Sequence, residues 1–148
     1  KMGKKALQSV LDQADEETQA RLLARYEESI HYSRRIGNLY TGSLYLGLIS
    51  LLENSQALKA GDRLGLFSYG SGAVSEFFTG YLEKGYQEFL FTKEHQEMLD
   101  KRQAITVDQY EEIFNETLPQ KGEQAEYSST VPFSIYKVEN DIRYYKQY

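Results

Sequence analysis

The stretch over residues 63–82 constrains the fold most, because its pattern predicts two strands joined by a tight turn. Residues 63–69 are nearly continuously apolar, which is typical of a strand covered on both faces. Residues 73–82 are rich in aromatic side chains and are expected to return antiparallel. In the Gly-Ser-Gly turn over residues 70–72, the backbone can adopt positive φ and a ligand can approach bare N–H groups. A plain hairpin without a ligand explains the same motif.

Helical patterns precede this hairpin. Residues 4–13 predict a short helix, and Asp15 is suited to be the N-cap of a longer helix that continues to about residue 35. Gly37 is expected to end that helix. His31 falls within it, where a single histidine is expected to be solvated or satisfied in the core rather than catalytic.

Residues 44–52 are apolar on every side, which predicts a fully buried helix capped by Thr41 or Ser43. Asn38 stands just before the polar, glycine-rich start of that helix. A helix start directs N–H groups and partial positive charge toward whatever lies there, so Asn38 is a candidate ligand-binding residue. Asn38 could equally be a turn asparagine in the left-handed backbone region.

The C-terminal third of the chain predicts mixed structure. Residues 81–101 predict a helical surface segment, in which His95 is expected to be solvated. The capping-box pattern that begins at Thr106 opens a helix to about residue 118. Residues 119–130 predict a loop, and strands are expected over residues 132–138 and 142–145.

Composition excludes several function classes. The 148 residues include no cysteine, so disulfides, thiolate metal sites and a cysteine nucleophile within this chain are ruled out. The net charge of -5 argues against a nucleic-acid partner, and no run of apolar residues predicts a membrane span. Lys1 precedes Met2, which suggests a fragment of a longer protein. A cytoplasmic location fits the absence of cysteine and of a signal-peptide core.

Three sequence motifs together indicate a family. These are KMGKKAL from residue 1, GNLYTGSLY from residue 37 and GLFSYGSG from residue 65. In order and spacing they resemble hydroxymethylglutaryl-CoA synthase of the bacterial type. The resemblance is specific to about residue 78, is looser to residue 148, and covers the C-terminal part of that enzyme. The chain is therefore expected to begin just after the family's catalytic histidine.

The resemblance implies an α/β, thiolase-like fold, layered α-β-α-β-α, of which this chain supplies part of the C-terminal half. It implies a homodimer that condenses acetyl-CoA with acetoacetyl-CoA on the mevalonate route to isoprenoids, with no cofactor beyond these CoA thioester substrates. In the family, a cysteine is acetylated, a glutamate deprotonates the acetyl methyl group, and a histidine assists at acetoacetyl-CoA. None of these three residues can be assigned here, so the chain alone is expected to be inactive.

The resemblance assigns roles to four residues of this chain. Asn38 matches the asparagine whose amide binds the acetoacetyl group near its thioester oxygen. Ser71 matches the serine whose backbone N–H helps to form the oxyanion hole for the acylated cysteine. Lys5, and also Lys1, match lysines along the phosphates or pantetheine of CoA, where an ammonium group acts as a point charge.

The sequence also allows two alternatives. The first is a sister synthase that acts on acyl groups bound to carrier proteins during polyketide β-branching, which the acidic balance of this chain disfavours. The second is a non-catalytic scaffold domain that keeps the fold. The absence of a nucleophile suits the scaffold, whereas the presence of both Asn38 and Ser71 argues for an enzyme.

Overall fold

A computed structural model describes residues 2–117, 123–129 and 131–147 of the chain. The chain divides into two compact units, Lys1–Arg102 and Gln103–Tyr148. The first unit contains the three sequence motifs and all the predicted site residues, and the second contains the C-terminal helix and strands. In the described part of the chain, no helix is both long enough and apolar enough to cross a membrane.

The first unit opens with four helices. They are α1 (Met2–Leu11), α2 (Glu16–Ser29), α3 (His31–Ile36) and α4 (Gly42–Asn54). Asp15 caps α2 as predicted, because its carboxylate accepts the Thr18 N–H at 2.8 Å. This bond lowers the pKa of the Asp15 carboxyl.

The predicted single helix to residue 35 is wrong. It breaks at Ile30, whose φ of -97° and ψ of 1° separate α2 from α3. Gly37 ends α3 as predicted, at a φ of 96° that glycine adopts without strain. The break matters because it presents the next residues of α3, including Tyr32, to α4.

The predicted hairpin is confirmed as β1 (Arg63–Gly70) paired antiparallel with β2 (Val74–Tyr81). Burial departs from the expectation of a strand covered on both faces. Along β1 only part of the strand is half-buried, and every residue of β2 is exposed. Helices α1 and α4 contact β1, so the two-stranded sheet is covered only in part within this unit.

The segment after the hairpin is not one helix. A short 3-10 helix over Tyr86–Phe89 follows Gly85, whose φ of 84° places it in the left-handed region. Helix α5 then runs over Thr92–Asp100. Among the described residues of the first unit, the buried apolar side chains are Leu11, Tyr32, Leu82 and Leu99.

Helix α4 was expected to be buried on every side, and this is wrong for the chain by itself. Its buried residues are the polar Ser50 and Glu53, while Tyr45 and Ile49 are exposed. The five leucines of α4 are only half-buried. The most deeply buried side chains of α4 are therefore polar, whereas its apolar side chains are half-buried or exposed.

The second unit contains α6 (Val107–Asn115) and a three-stranded antiparallel sheet in the order β3 (Gln124–Glu126), β4 (Phe133–Glu139) and β5 (Ile142–Gln147). The capping box is confirmed, since the side chains of Thr106 and Gln109 each bond the other's backbone N–H. Both C-terminal strands are confirmed as well. Strand β3 lies inside the predicted loop, and residues 118–122 and 130 of the predicted helix end and loop lie outside the described residues.

Candidate functional site

The loop between α3 and α4 holds Asn38 by its carbonyl oxygen. The Asn38 Oδ1 accepts the Tyr40 N–H at 2.9 Å and the Ser43 hydroxyl at 3.0 Å. The Ser43 Oγ in turn accepts the Leu39 N–H at 2.9 Å. Among the residues that the structure describes, the Asn38 amide nitrogen has no hydrogen-bond partner, and the residue is exposed. Asn38 can therefore donate two hydrogen bonds to a ligand.

The backbone of this loop corrects two expectations. Positive φ occurs at Gly37 (96°) and at Tyr40 (51°), so the alternative that Asn38 itself is a left-handed turn residue is wrong. Thr41 precedes the helix but makes no capping bond with its side chain. Ser43 lies within the first turn of α4 and bonds back into the loop instead of capping the helix.

The turn that carries Ser71 is a three-residue loop. Gly70 pairs with Val74, which leaves residues 71–73 to connect the strands. Positive φ lies at Ala73 (65°) and not at the flanking glycines, contrary to the expectation from sequence. A side chain at Gly72 would meet no atom of the described chain within 4 Å. The backbone around Ser71 is accordingly open on the outer side of the turn, where Ser71 is exposed.

The predicted lysines stand apart from these two loops. Lys5 is exposed on α1, and Lys1 lies outside the described residues. In residues 2–117, no hydrogen bond or ion pair joins any two of Asn38, Ser71 and Lys5. What they share is β1: Ser71 follows it directly, and α1 and α4 both contact it.

A buried polar cluster in the first unit was missed from sequence. The Glu53 side chain is 1% exposed, and its carboxylate accepts the Tyr32 hydroxyl and, at 3.1 Å, the Phe91 N–H. Nδ1 of His95 lies 2.9 Å from Glu53 Oε1. The prediction that His95 is solvated is therefore wrong, because its side chain is only 32% exposed and is paired.

This cluster perturbs the tyrosine. Burial, and then the hydrogen bond to the Glu53 carboxylate, raise the pKa of Tyr32 to about 12. The sequence did carry one signal for the cluster. Glu53 directly follows an apolar helical run, where a charged residue needs a partner if it stays in the core.

Ser50 ties the same helices together one turn earlier. Its side chain is fully buried, donates to the Glu28 carbonyl at 2.6 Å and accepts the Tyr32 N–H at 3.2 Å. These two backbone groups lie on either side of the break at Ile30. Ser50 and Glu53 thus fix α3 against α4, the two helices that flank the Asn38 loop.

Other candidate sites are weaker. Within the described ranges, no group of three or more His, Asp and Glu side chains is arranged to hold a metal ion. A shallow pocket in the second unit is lined mainly by Ile113, Tyr127 and Ile135 and contains none of the predicted site residues.

The comparisons with known proteins agree with one another. The family model for the C-terminal part of hydroxymethylglutaryl-coenzyme A synthase matches residues 2–146. The hydroxymethylglutaryl-CoA synthase of Enterococcus faecalis is 54% identical over 146 residues, which make up 99% of this chain and 38% of that protein. The polyketide biosynthesis 3-hydroxy-3-methylglutaryl-ACP synthase of Bacillus subtilis is 34% identical over 92 residues, or 62% of this chain and 22% of that protein.

A solved structure supports the same assignment. The crystal structure of an HMG-CoA synthase complexed with CoA matches with a TM-score of 0.84 at 44% identity, over 93% of this chain and 36% of that chain. This likeness confirms the α/β, thiolase-like fold class. The chain spans little more than a third of the length of these relatives, 38% and 36% of the two that it matches over nearly its whole length. It belongs to the hydroxymethylglutaryl-CoA synthase family, of which it matches the C-terminal part.

Proposed function

We propose that this chain is the C-terminal portion of an enzyme that joins acetyl-CoA and acetoacetyl-CoA to give 3-hydroxy-3-methylglutaryl-CoA and CoA. The nucleophilic cysteine, the glutamate base and the histidine belong to the part of the relatives that this chain does not span. In the proposal, the complete protein consists of this chain and the segment of the relatives that this chain does not span. It works as a cytoplasmic homodimer in the mevalonate pathway and uses no cofactor apart from its CoA thioester substrates.

The hydrogen bonding of Asn38 is the observation that carries the proposal. Its carbonyl oxygen is engaged by two donors, so the amide offers only N–H groups to a ligand. An acceptor such as the thioester oxygen of acetoacetyl-CoA suits those groups. The proposed role of Asn38 is to hold this substrate while its ketone carbon is attacked and the ketone oxygen takes up a proton.

Ser71 has a backbone role in this proposal. Its N–H donates to the thioester oxygen of the acetylated cysteine, which gains charge as the acetyl group reacts. The exposed three-residue turn and the space around Gly72 are compatible with close approach of an acyl group. The serine hydroxyl is then dispensable, whereas the shape of the turn is not.

Lys5 and Lys1 are proposed to contact CoA. Lys5 is exposed and makes no ion pair within the described residues, so its ammonium group is available to a phosphate. A flexible lysine suits a phosphate at the entrance of a site, because it acts as a point charge without demanding a fixed geometry.

One alternative keeps a specific observation in its favour. The Bacillus subtilis relative is by name a synthase for an acyl group on a carrier protein. The same Asn38 geometry suits a carrier-bound acetoacetyl group, since the thioester is the same chemical group. The net charge of -5 disfavours this alternative, because it opposes the docking of an acidic carrier protein.

The experiment compares the two acceptors with one complete protein. Acetyl-CoA is supplied with acetoacetyl-CoA, or with an acetoacetyl group on an acyl carrier protein, and loss of the acetoacetyl thioester is followed. Turnover with acetoacetyl-CoA that exceeds turnover with the carrier-bound acceptor supports the proposal. The opposite preference supports the carrier-protein alternative, and no turnover with either acceptor supports a scaffold role.

A further inference from the structure

Neither the family resemblance nor the proposed function gives a role to Ser43. It lies in the first turn of α4, and its hydroxyl reaches back across five residues to the Asn38 side chain. The distance from Ser43 Oγ to Asn38 Oδ1 is 3.0 Å. The bond therefore joins the candidate ligand-binding amide to a rigid helix.

The direction of each hydrogen bond in this loop is settled by its donors. The Tyr40 N–H and the Leu39 N–H are backbone donors and cannot accept. Because the Leu39 N–H donates to Ser43 Oγ, the hydroxyl proton of Ser43 remains to be donated to Asn38. Because the Tyr40 N–H donates to Asn38, the atom that receives both bonds is the carboxamide oxygen and not the nitrogen.

Two donors on one carbonyl oxygen have two consequences. They occupy both of its lone pairs, so that the oxygen cannot accept a further hydrogen bond from a ligand. They also fix the plane of the carboxamide, which one donor alone leaves free to rotate. The amide N–H groups then point outward in a constant direction, as a preorganised donor pair requires.

We propose that Ser43 is the positioning residue that sets the orientation of the Asn38 amide, so that Asn38 presents donors to the thioester oxygen of the acceptor substrate. The inference deepens the proposed function and rests on it for the identity of that substrate. Ser43 itself does not touch the substrate. It acts through Asn38, and its effect is confined to the step in which Asn38 takes part.

The kinetic test uses the complete protein with Ser43→Ala, Ser43→Thr, Asn38→Ala and the double variant Ser43→Ala/Asn38→Ala. Ser29→Ala is the matched control, because the Ser29 hydroxyl bonds the Tyr26 carbonyl within α2 and not a residue of the loop. Ser43→Ala is expected to lower condensation roughly five- to tenfold, the usual worth of one hydrogen bond. Acetylation of the cysteine by acetyl-CoA alone should keep its wild-type rate, and Ser43→Thr should restore condensation because it keeps the hydroxyl.

The double variant identifies the route of the effect. If Ser43 acts only through Asn38, Ser43→Ala causes no further loss in the Asn38→Ala background. A full additional loss there, or equal damage to acetylation and condensation, overturns the inference in favour of a general structural role. Wild-type condensation in the same assay tests the proposed function separately.

A second readout does not depend on activity. In a crystal structure of the Ser43→Ala protein, the Asn38 carboxamide is expected to occupy more than one orientation, whereas in Ser29→Ala it keeps the wild-type one. An Asn38 amide that is unchanged and single in Ser43→Ala contradicts the inference, whatever the substrate of the protein.

Discussion

Nδ1 of His95 lies 2.9 Å from Oε1 of the buried Glu53 carboxylate, across 42 residues of sequence. The contact joins α5 to the last turn of α4, and the Tyr32 hydroxyl brings α3 to the same carboxylate. A buried carboxylate is costly unless every oxygen has partners, and here it has three. Glu53 is therefore the point at which three helices of the first unit are held together.

Removing this carboxylate is expected to destabilise the first unit. Glu53→Ala leaves the buried Tyr32 hydroxyl and the part-buried Phe91 N–H without their acceptor, at a cost of about 2–4 kcal/mol in unfolding free energy. Glu27→Ala is the control, because it removes an exposed ion pair with Arg34 and such pairs contribute little. Denaturant unfolding of both variants measures the difference. Equal effects of the two substitutions would show that the cluster does not stabilise the fold.

Alkaline stability should depend on Tyr32. Its pKa is raised to about 12 by burial and by Glu53, whereas an unfolded tyrosine ionises near pH 10, about its usual pKa. Between these values the unfolded chain loses a proton that the folded chain keeps. The unfolding free energy therefore falls as pH rises through this window, by about 1.4 kcal/mol for each pH unit. Below about pH 10 the contribution is fully present.

Tyr32→Phe should remove this part of the pH dependence. Unfolding measured from about pH 9 to about pH 11 should give a shallower decline for Tyr32→Phe than for the wild type. Tyr45→Phe, at an exposed tyrosine of α4, should keep the wild-type decline. Parallel curves for all three proteins would mean that Tyr32 ionises alike in both states.

Local signals made much of this fold predictable. The Asp15 cap, the capping box at Thr106 and the β1–β2 hairpin each depend on residues that are close in sequence, and the structure confirms all three. The hydrogen bonds of the Asn38 side chain also lie within five residues of it, whereas its role as a binding residue stays a prediction.

The failures have a different physical origin. The pairing of His95 with Glu53 is a tertiary contact that no periodicity reveals. The break at Ile30 occurs in a good helical pattern, because Ser50 of another helix satisfies the backbone groups on either side of it. In the Ser71 turn, the position that needs positive φ carries an alanine, so the glycines alone misled the prediction.

That alanine gives a stability prediction. Ala73 has a φ of 65°, a conformation that costs an alanine about 1–2 kcal/mol and a glycine almost nothing. Ala73→Gly should therefore stabilise the folded protein, by less than this cost because glycine also makes the unfolded chain more flexible. Gly72→Ala is the control, since φ there is not positive and a side chain meets no described atom within 4 Å. A thermal melt in which Ala73→Gly lowers the melting temperature contradicts the strain at this turn.

Binding of CoA substrates should depend on Lys5 through charge. In the complete protein, Lys5→Ala is expected to raise the KM for acetoacetyl-CoA more at low salt than at high salt, because exposed charges are screened over about 8 Å at physiological ionic strength. Lys93→Ala is the control, as an exposed lysine of α5 that already faces Glu97. A KM that Lys5→Ala leaves unchanged at every salt concentration would place Lys5 outside the CoA site.

The most direct test of the proposed function separates the two chemical steps in the complete protein with Asn38→Ala. Asn54→Ala is the control, because it truncates an asparagine at the opposite end of α4 whose amide bonds the Ser50 carbonyl. The measurement is the rate of cysteine acetylation by acetyl-CoA alone, set beside the rate of condensation with acetoacetyl-CoA. Asn38→Ala is expected to keep acetylation and to lower condensation by about 10²–10³, the usual effect of losing one preorganised donor. Equal loss of both steps, or no loss of condensation, would contradict the proposed role of Asn38.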